Sequence, residues 1–228
     1  MEKAKETNGF KKNLIITAVL FAVFVIYTLC VKNVDVAAVG PEGSSVGFSS
    51  LNSAVANVFG YNEFFYDCSK IIALFSFILI GVIFLTALCQ VIKRKGIFKA
   101  DQDCYVMGVL YGLTGLMYVF FEIVIINYRP VILDEGLEAS FPSSHTMLAI
   151  SVLITGSMWI RRRVDEKKAG LITCFLYTLA VFMVVARLIS GVHWLTDIIG
   201  AIIAGSFLVS VFMTLMSVLQ SKTDQGKD

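Results

Sequence analysis

Residues 127–145 read NYRPVILDEGLEASFPSSH, and residues 187–197 read RLISGVHWLTD. The chain has two histidines, His145 and His193, and one falls in each stretch. Both stretches are short polar breaks between long apolar runs, and those runs decide the fold. Of 228 residues, 57% are hydrophobic, and the mean hydropathy is +0.79. A soluble domain carries about 45–50% apolar residues even with glycine counted. Composition therefore points to the bilayer.

A helix needs roughly 20 apolar residues to cross the hydrocarbon core. The candidate spans are 13–31, 71–92, 104–127, 145–160, 169–186 and 195–219. The fourth is short: at about 1.5 Å per residue it covers roughly 24 Å of a core about 30 Å thick. Local bilayer thinning, or snorkelling by Arg161, lets it span. Basic residues support the count. Lys3, Lys5, Lys11 and Lys12 precede the first span; Lys93, Arg94, Lys95 and Lys99 follow the second. Arg161, Arg162, Arg163, Lys167 and Lys168 follow the fourth, and Lys222 and Lys227 end the chain. Fifteen of nineteen basic residues thus fall on alternate connections, which the positive-inside rule places in the cytoplasm. The expected fold is all-α: a polytopic six-transmembrane-helix bundle, residues 1–228 forming one domain, with both termini cytoplasmic and connections one, three and five outside.

The N-terminal MEKAKETNGFKK imitates the basic region of a signal peptide. No small-x-small site closes the run that follows, so the segment reads as a membrane anchor. Net charge is only +2, which supports no nucleic-acid partner. The five cysteines show no CxxC pair, and Cys30, Cys89 and Cys174 lie inside apolar runs, where free Cys behaves as a small hydrophobe. Neither a disulfide framework nor a zinc site is expected, and no obligate protein partner is evident.

In the long first outer connection, 32–70, Phe48, Leu51, Val55, Val58 and Phe59 recur at near-helical spacing after serines able to cap. This is either a short helix packed on the bundle or an interfacial helix beside a lipid entrance. In span six, Gly200, Ala201, Ala204 and Gly205 are the small residues that let helices approach closely in lipid.

The polar breaks carry the chemistry. Pro142 followed by Ser143 and Ser144 and an apolar run marks a helix start with a serine cap. The free N–H groups there suit an anion. Pro130 fixes the backbone beside Arg129. His193 and Asp197 are four apart, so on a helix they share a face and can hydrogen-bond. A carboxylate holding one imidazole nitrogen frees the other as nucleophile or base. Arg187 stands across the Ser190-Gly191 break, and arginine meets phosphate oxygens with a planar fork. Each stretch taken alone also fits an ordinary boundary turn. That reading leaves unexplained why both histidines and two outer arginines share one face.

Arg129-Pro130, then Pro142-Ser143-Ser144-His145, then Arg187 with His193 and Asp197, resemble the three motifs of the type 2 phosphatidic acid phosphatases. These share a superfamily with bacterial acid phosphatases and vanadium haloperoxidases. The motif resemblance covers 122–197. It implies that His193 is the nucleophile forming a phosphohistidine, that Asp197 orients it, and that His145 protonates the departing oxygen and then activates water. It implies that Arg129, Arg187, Ser143 and the Ser144 N–H hold the phosphoryl oxygens, without metal or other cofactor. The substrate expected is a membrane lipid phosphate or isoprenoid diphosphate, of the undecaprenyl diphosphate, phosphatidylglycerophosphate or phosphatidate type. It would be met at the outer, extracellular or periplasmic face of a bacterial plasma membrane.

Two positions depart from the family pattern. Ser144 replaces the second-motif glycine, and Glu122 stands where the family has a lysine. Burial in an apolar span would favour a neutral Glu122 able to donate a hydrogen bond. Alternatively Glu122 pairs with Arg129, two helical turns on, and orients it. The same position leaves open a phosphotransferase, or a lipid-binding relative without catalysis.

Overall fold

The structure, a computed structural model, describes residues 2–133 and 136–225, with side chains described from 9 to 133 and from 136 to 219. Its helices, in order, are α1 (Glu2–Asn33), α2 (Ser49–Phe59), α3 (Glu63–Lys93), α4 (Gln102–Ile123), α5 (Ser144–Arg161), α6 (Glu166–Ile189) and α7 (Leu195–Gln225). One 3-10 turn, Pro41–Gly43, lies between the first two. Local signals set several of these ends. Asn62 caps α3 by accepting from Phe65 N at 3.2 Å, and Asp165 caps α6 by accepting from Lys168 N at 3.1 Å. α3 therefore begins two turns before the apolar run that announced it, and that extension carries Tyr66 and Ser69.

Five helices, α1, α3, α4, α6 and α7, are long and apolar enough to cross a membrane. Their exposed faces carry large apolar side chains such as Ile15 and Ile26 on α1, Phe77 and Phe84 on α3, Leu116 on α4 and Val181 on α6. The remaining expected span, α5, has 18 residues and does not qualify. Its serines, threonines, His145 and Arg161 make it too polar, and its surroundings fit that composition: α5 packs against α3, α4, α6 and α7. It faces protein instead of lipid, and buries Ser151, Thr155 and Ser157. Those hydroxyls donate back to the carbonyls of Met147, Ser151 and Ile154 at 2.8, 2.6 and 2.7 Å.

α1 packs along α7. Asn13 donates to Ser217 Oγ at 2.8 Å, and Thr17 shares a 2.9 Å hydrogen bond with Thr214. The small residues of α7 act as expected: Ala201 and Ala204 are fully buried, and a Cβ on Gly205 would lie 2.7 Å from Ile150 of α5. A Cβ on Gly200 would overlap the Phe141 ring.

The two ends of the bundle differ. At one end Arg163 holds Asp103 at 2.8 and 2.9 Å and Asp101 at 3.1 Å, while Arg94 holds Asp101 at 2.9 Å. The basic connections α3–α4 and α5–α6 therefore meet there. Of the other basic residues expected on that face, Lys227 lies outside the described residues. At the opposite end the three remaining connections touch. Gly47 N donates to Asn127 Oδ1 at 3.3 Å, Asn62 N to Ser190 O at 3.0 Å, and Trp194 Nε1 to Tyr128 O at 2.7 Å.

Only the start of the α2 apolar stripe, Phe48, packs on the core of the bundle. Leu51, Val58 and Phe59 are exposed, and the buried residues are Ser49 and Asn52, the latter donating to Thr196 Oγ1 at 2.9 Å and accepting from Thr196 N at 3.2 Å. Nor do its serines cap it. Asp35 does, taking Ser50 N at 2.9 Å and Ser49 Oγ at 3.1 Å.

Candidate active site

The connection between α4 and α5 folds back on itself. Ser140 N donates to Asn127 O at 2.9 Å and Arg129 N to Glu138 O at 3.0 Å, so Ser140 returns beside Asn127. The Phe141-Pro142 peptide is cis, and Ser143 is the N-cap residue of α5. Ser143 N donates to the backbone carbonyl of Asp197 at 3.2 Å, which docks the start of α5 on the start of α7. The α6–α7 turn packs equally tightly. Gly191 has φ +67, and a Cβ there would overlap Gly60 O.

His193 sits in that turn, before α7 begins, and is buried. Its Nε2 lies 2.8 Å from Arg187 Nη2, and its Nδ1 lies 2.9 Å from Ser140 Oγ. A guanidinium only donates, so Nε2 accepts and the proton of the neutral ring is on Nδ1. Nδ1–H donates to Ser140, and Ser140 in turn donates to Asp197 Oδ2. Asp197 also accepts from Asn127 Nδ2 at 3.2 Å and from Trp194 N at 3.0 Å. Burial, followed by the positive charges of Arg187 and Arg129, holds the His193 imidazole well below its usual value. Near neutral pH the ring is uncharged, with its Nε2 lone pair directed at a cation.

The expected direct bond between His193 and Asp197 is corrected. They are 3.8 Å apart, because His193 is not helical and a serine from another loop enters between them. The other expected residues gather at the same end. His145, in the first turn of α5, places Nδ1 3.5 Å from Arg187 Nη2. Arg187 is fully buried and also donates to Ser69 Oγ at 3.2 Å, with the Tyr66 ring 5.4 Å from its carbon. Arg129 is near enough for its charge to act on both histidines. It pairs with Glu138 at 3.0 Å. The Nε atoms of both Arg129 and Arg187 are buried without a partner among the described residues. Such N–H groups are costly unless they serve an acceptor. Ser143 Oγ faces Thr146 Oγ1 at 3.0 Å, and Ser144 opens α5.

Glu122 differs from both expectations. It is exposed in the last turn of α4, not buried. Because α4 ends at Ile123, Arg129 is not two turns along a continuous helix, and its carboxylate partner is Glu138.

Glu122, Tyr118, Ser140, Ser144 and His193 line one small recess. Beside it a cavity of about 530 Å³ runs between α3, α4 and α5, with Phe77, Ile80, Tyr111, Leu148 and His145 in its walls. Sequence reasoning missed Ser140, Asn127, Ser69 and Tyr66. Ser140 and Asn127 stand in the quoted stretch, but no spacing rule ties either to residue 197. Among the described residues no three His, Cys, Asp or Glu side chains come together as a metal-binding group.

The arrangement offers a neutral imidazole nitrogen, a second imidazole and one arginine against both, with a second arginine close enough for its charge to act on both rings: parts able to hold and attack a tetrahedral anion. The family model described as PAP2 superfamily matches residues 79–220. No curated protein matched the chain. Among solved structures, the chain is similar to the first transmembrane PAP2 type phosphatidylglycerolphosphate phosphatase from Bacillus subtilis. There the identity is 19% and the TM-score 0.60, over 92% of this chain and 96% of that one. It also matches Aquifex aeolicus LpxE at 17% identity and TM-score 0.37, over 71% of this chain and 98% of that one.

Proposed function

The chain belongs to the PAP2 superfamily, and from that premise we propose that it is a membrane lipid phosphatase. Its substrate is a lipid phosphate or isoprenoid diphosphate, and its chemistry runs through a phosphohistidine. The observation that carries the reading is the position of Arg187, whose Nη2 reaches His193 Nε2 at 2.8 Å and His145 Nδ1 at 3.5 Å. One cation thus stands between a nucleophile and an acid–base group.

A phosphoryl group entering this space takes over the donors of Arg187 and the free Nε–H groups of Arg129 and Arg187. His193 Nε2 attacks phosphorus, an N–P bond forms, and the P–O bond to the lipid breaks. The imidazolium proton on Nδ1 is held by Ser140 and, behind it, Asp197. His145 gives a proton to the departing oxygen, releasing a lipid alcohol or a lipid monophosphate. It then takes a proton from water, which attacks phosphorus and frees His193 and inorganic phosphate. The negative charge of the bound phosphoryl group favours the protonated His145 that the first step needs. The lipid tail occupies the cavity of about 530 Å³ between α3, α4 and α5, in whose wall His145 stands.

Six crossings, with α5 as the protein-wrapped one, put both termini in the cytoplasm and the site at the outer leaflet of a bacterial plasma membrane. The alternation of basic connections supports that orientation. Phosphate release from a panel of phosphatidate, phosphatidylglycerophosphate and undecaprenyl diphosphate tests the proposal, with His193→Ala and vanadate as controls. Release lost in both controls is the expected result. Activity unchanged in His193→Ala overturns the mechanism, and lipid binding without turnover overturns the enzyme reading.

A further inference from the structure

The recess in front of His193 contains one acidic side chain from a membrane helix, Glu122 of α4. Tyr118, Ser144 and Met147 line this recess and also the larger apolar cavity, so the two hollows share a wall. Tyr118 is one turn before Glu122 on the same face of α4. Along that shared wall, a lipid with its tail in the cavity and its phosphoryl group at His193 brings its linking atoms, those next to the phosphoester, beside Glu122.

The nearby cations are already engaged. Arg129 is paired with Glu138 at 3.0 Å, and Arg187 points to His193 and Ser69. Among the described residues none forms an ion pair with Glu122. An uncompensated carboxylate at this point repels a phosphate dianion. For a plain phosphate ester it weakens binding; for a substrate that brings its own cation it becomes a contact.

We infer that Glu122 is a specificity residue selecting lipid phosphates that carry a protonated amine within two or three bonds of the phosphoester oxygen. The inference rests on the phosphatase reading above. It makes the site matched to a zwitterion, with arginines toward the phosphoryl oxygens and a carboxylate toward the ammonium group. Discrimination then comes from repulsion of the wrong substrate as well as attraction of the right one.

The test compares sphingosine 1-phosphate with N-acetylsphingosine 1-phosphate, which keeps the phosphate and chain but loses the ammonium charge. Phosphatidate is the third substrate. The parent protein is expected to show kcat/KM about tenfold higher for the amine. Glu122→Gln should remove that preference by lowering turnover of the amine and raising that of the acetylated lipid. Glu122→Asp should keep part of it. Equal kcat/KM for the two lipids in the parent, or a preference that survives in Glu122→Gln, overturns the inference and leaves the phosphatase reading intact. Absence of phosphate release from these three lipids, with release from phosphatidylglycerophosphate or undecaprenyl diphosphate, overturns the inference alone, and absence of release from every one of these lipids overturns the phosphatase reading and the inference with it.

Discussion

His193 Nδ1 and Asp197 Oδ2 stand 3.8 Å apart, too far for a hydrogen bond, and the Ser140 hydroxyl fills the space between them. The carboxylate thus acts on the imidazole through a third residue supplied by a different loop. Losing that hydroxyl leaves the buried Nδ1–H of His193 without its partner, while Asp197 keeps Asn127 Nδ2 and Trp194 N.

Ser140→Ala should lower kcat about 10- to 100-fold with little change in KM, since a buried hydrogen bond to a charged group contributes about 1–3 kcal/mol. Ser140→Thr, which keeps the hydroxyl, should recover part of the loss. Steady-state kinetics on one lipid phosphate decides it: equal kcat for Ser140→Ala and the parent would remove Ser140 from the chain of contacts.

The pH profile follows from the burial of His193. Its folded value lies below the usual imidazole range, so the ring proposed to attack is already neutral near pH 7 and is protonated only as pH falls further. The acid limb of kcat/KM assigned to this group should therefore lie below about 6.5, the ordinary imidazole value. A limb at or above that value would contradict the environment described for His193.

Arg187→Lys keeps the charge but removes the fork that spans His193, His145 and Ser69. Turnover should fall about 100-fold or more, because an ammonium cannot reproduce those divergent donors. Activity within a few-fold of the parent would show that charge alone suffices.

Gly205→Val tests the α5–α7 contact away from the chemistry. Its Cβ would lie 2.7 Å from Ile150 Cγ2, so the helices must separate. Overpacking of this kind costs about 1–3 kcal/mol. A lowered thermal midpoint in detergent is the expected outcome, with reduced activity following from the shift of α7. An unchanged midpoint would mean the two helices are free to adjust.

The helical class, the apolar runs, the separation of basic from histidine-bearing connections and the residues with strong chemistry were all legible in the chain. Each depends on properties carried by single residues or short runs: hydropathy, charge, and a rare histidine or proline. His145, Arg187 and His193 stood out because a polar residue between apolar runs has few structural uses. Other features belong to contacts between distant parts of the chain. Ser140 meets His193 across 53 positions, and Ser69 meets Arg187 across 118. The lower hydropathy of α5 marks it as different from the other five, but only packing shows that it is wrapped by α3, α4, α6 and α7. Nor does sequence spacing reveal that α4 stops at Ile123 and leaves Glu122 exposed. Residue identity determined which groups could do the chemistry. Packing of the helices decided which of them touch, because a hydrogen bond depends on the distance between atoms in space and not along the chain.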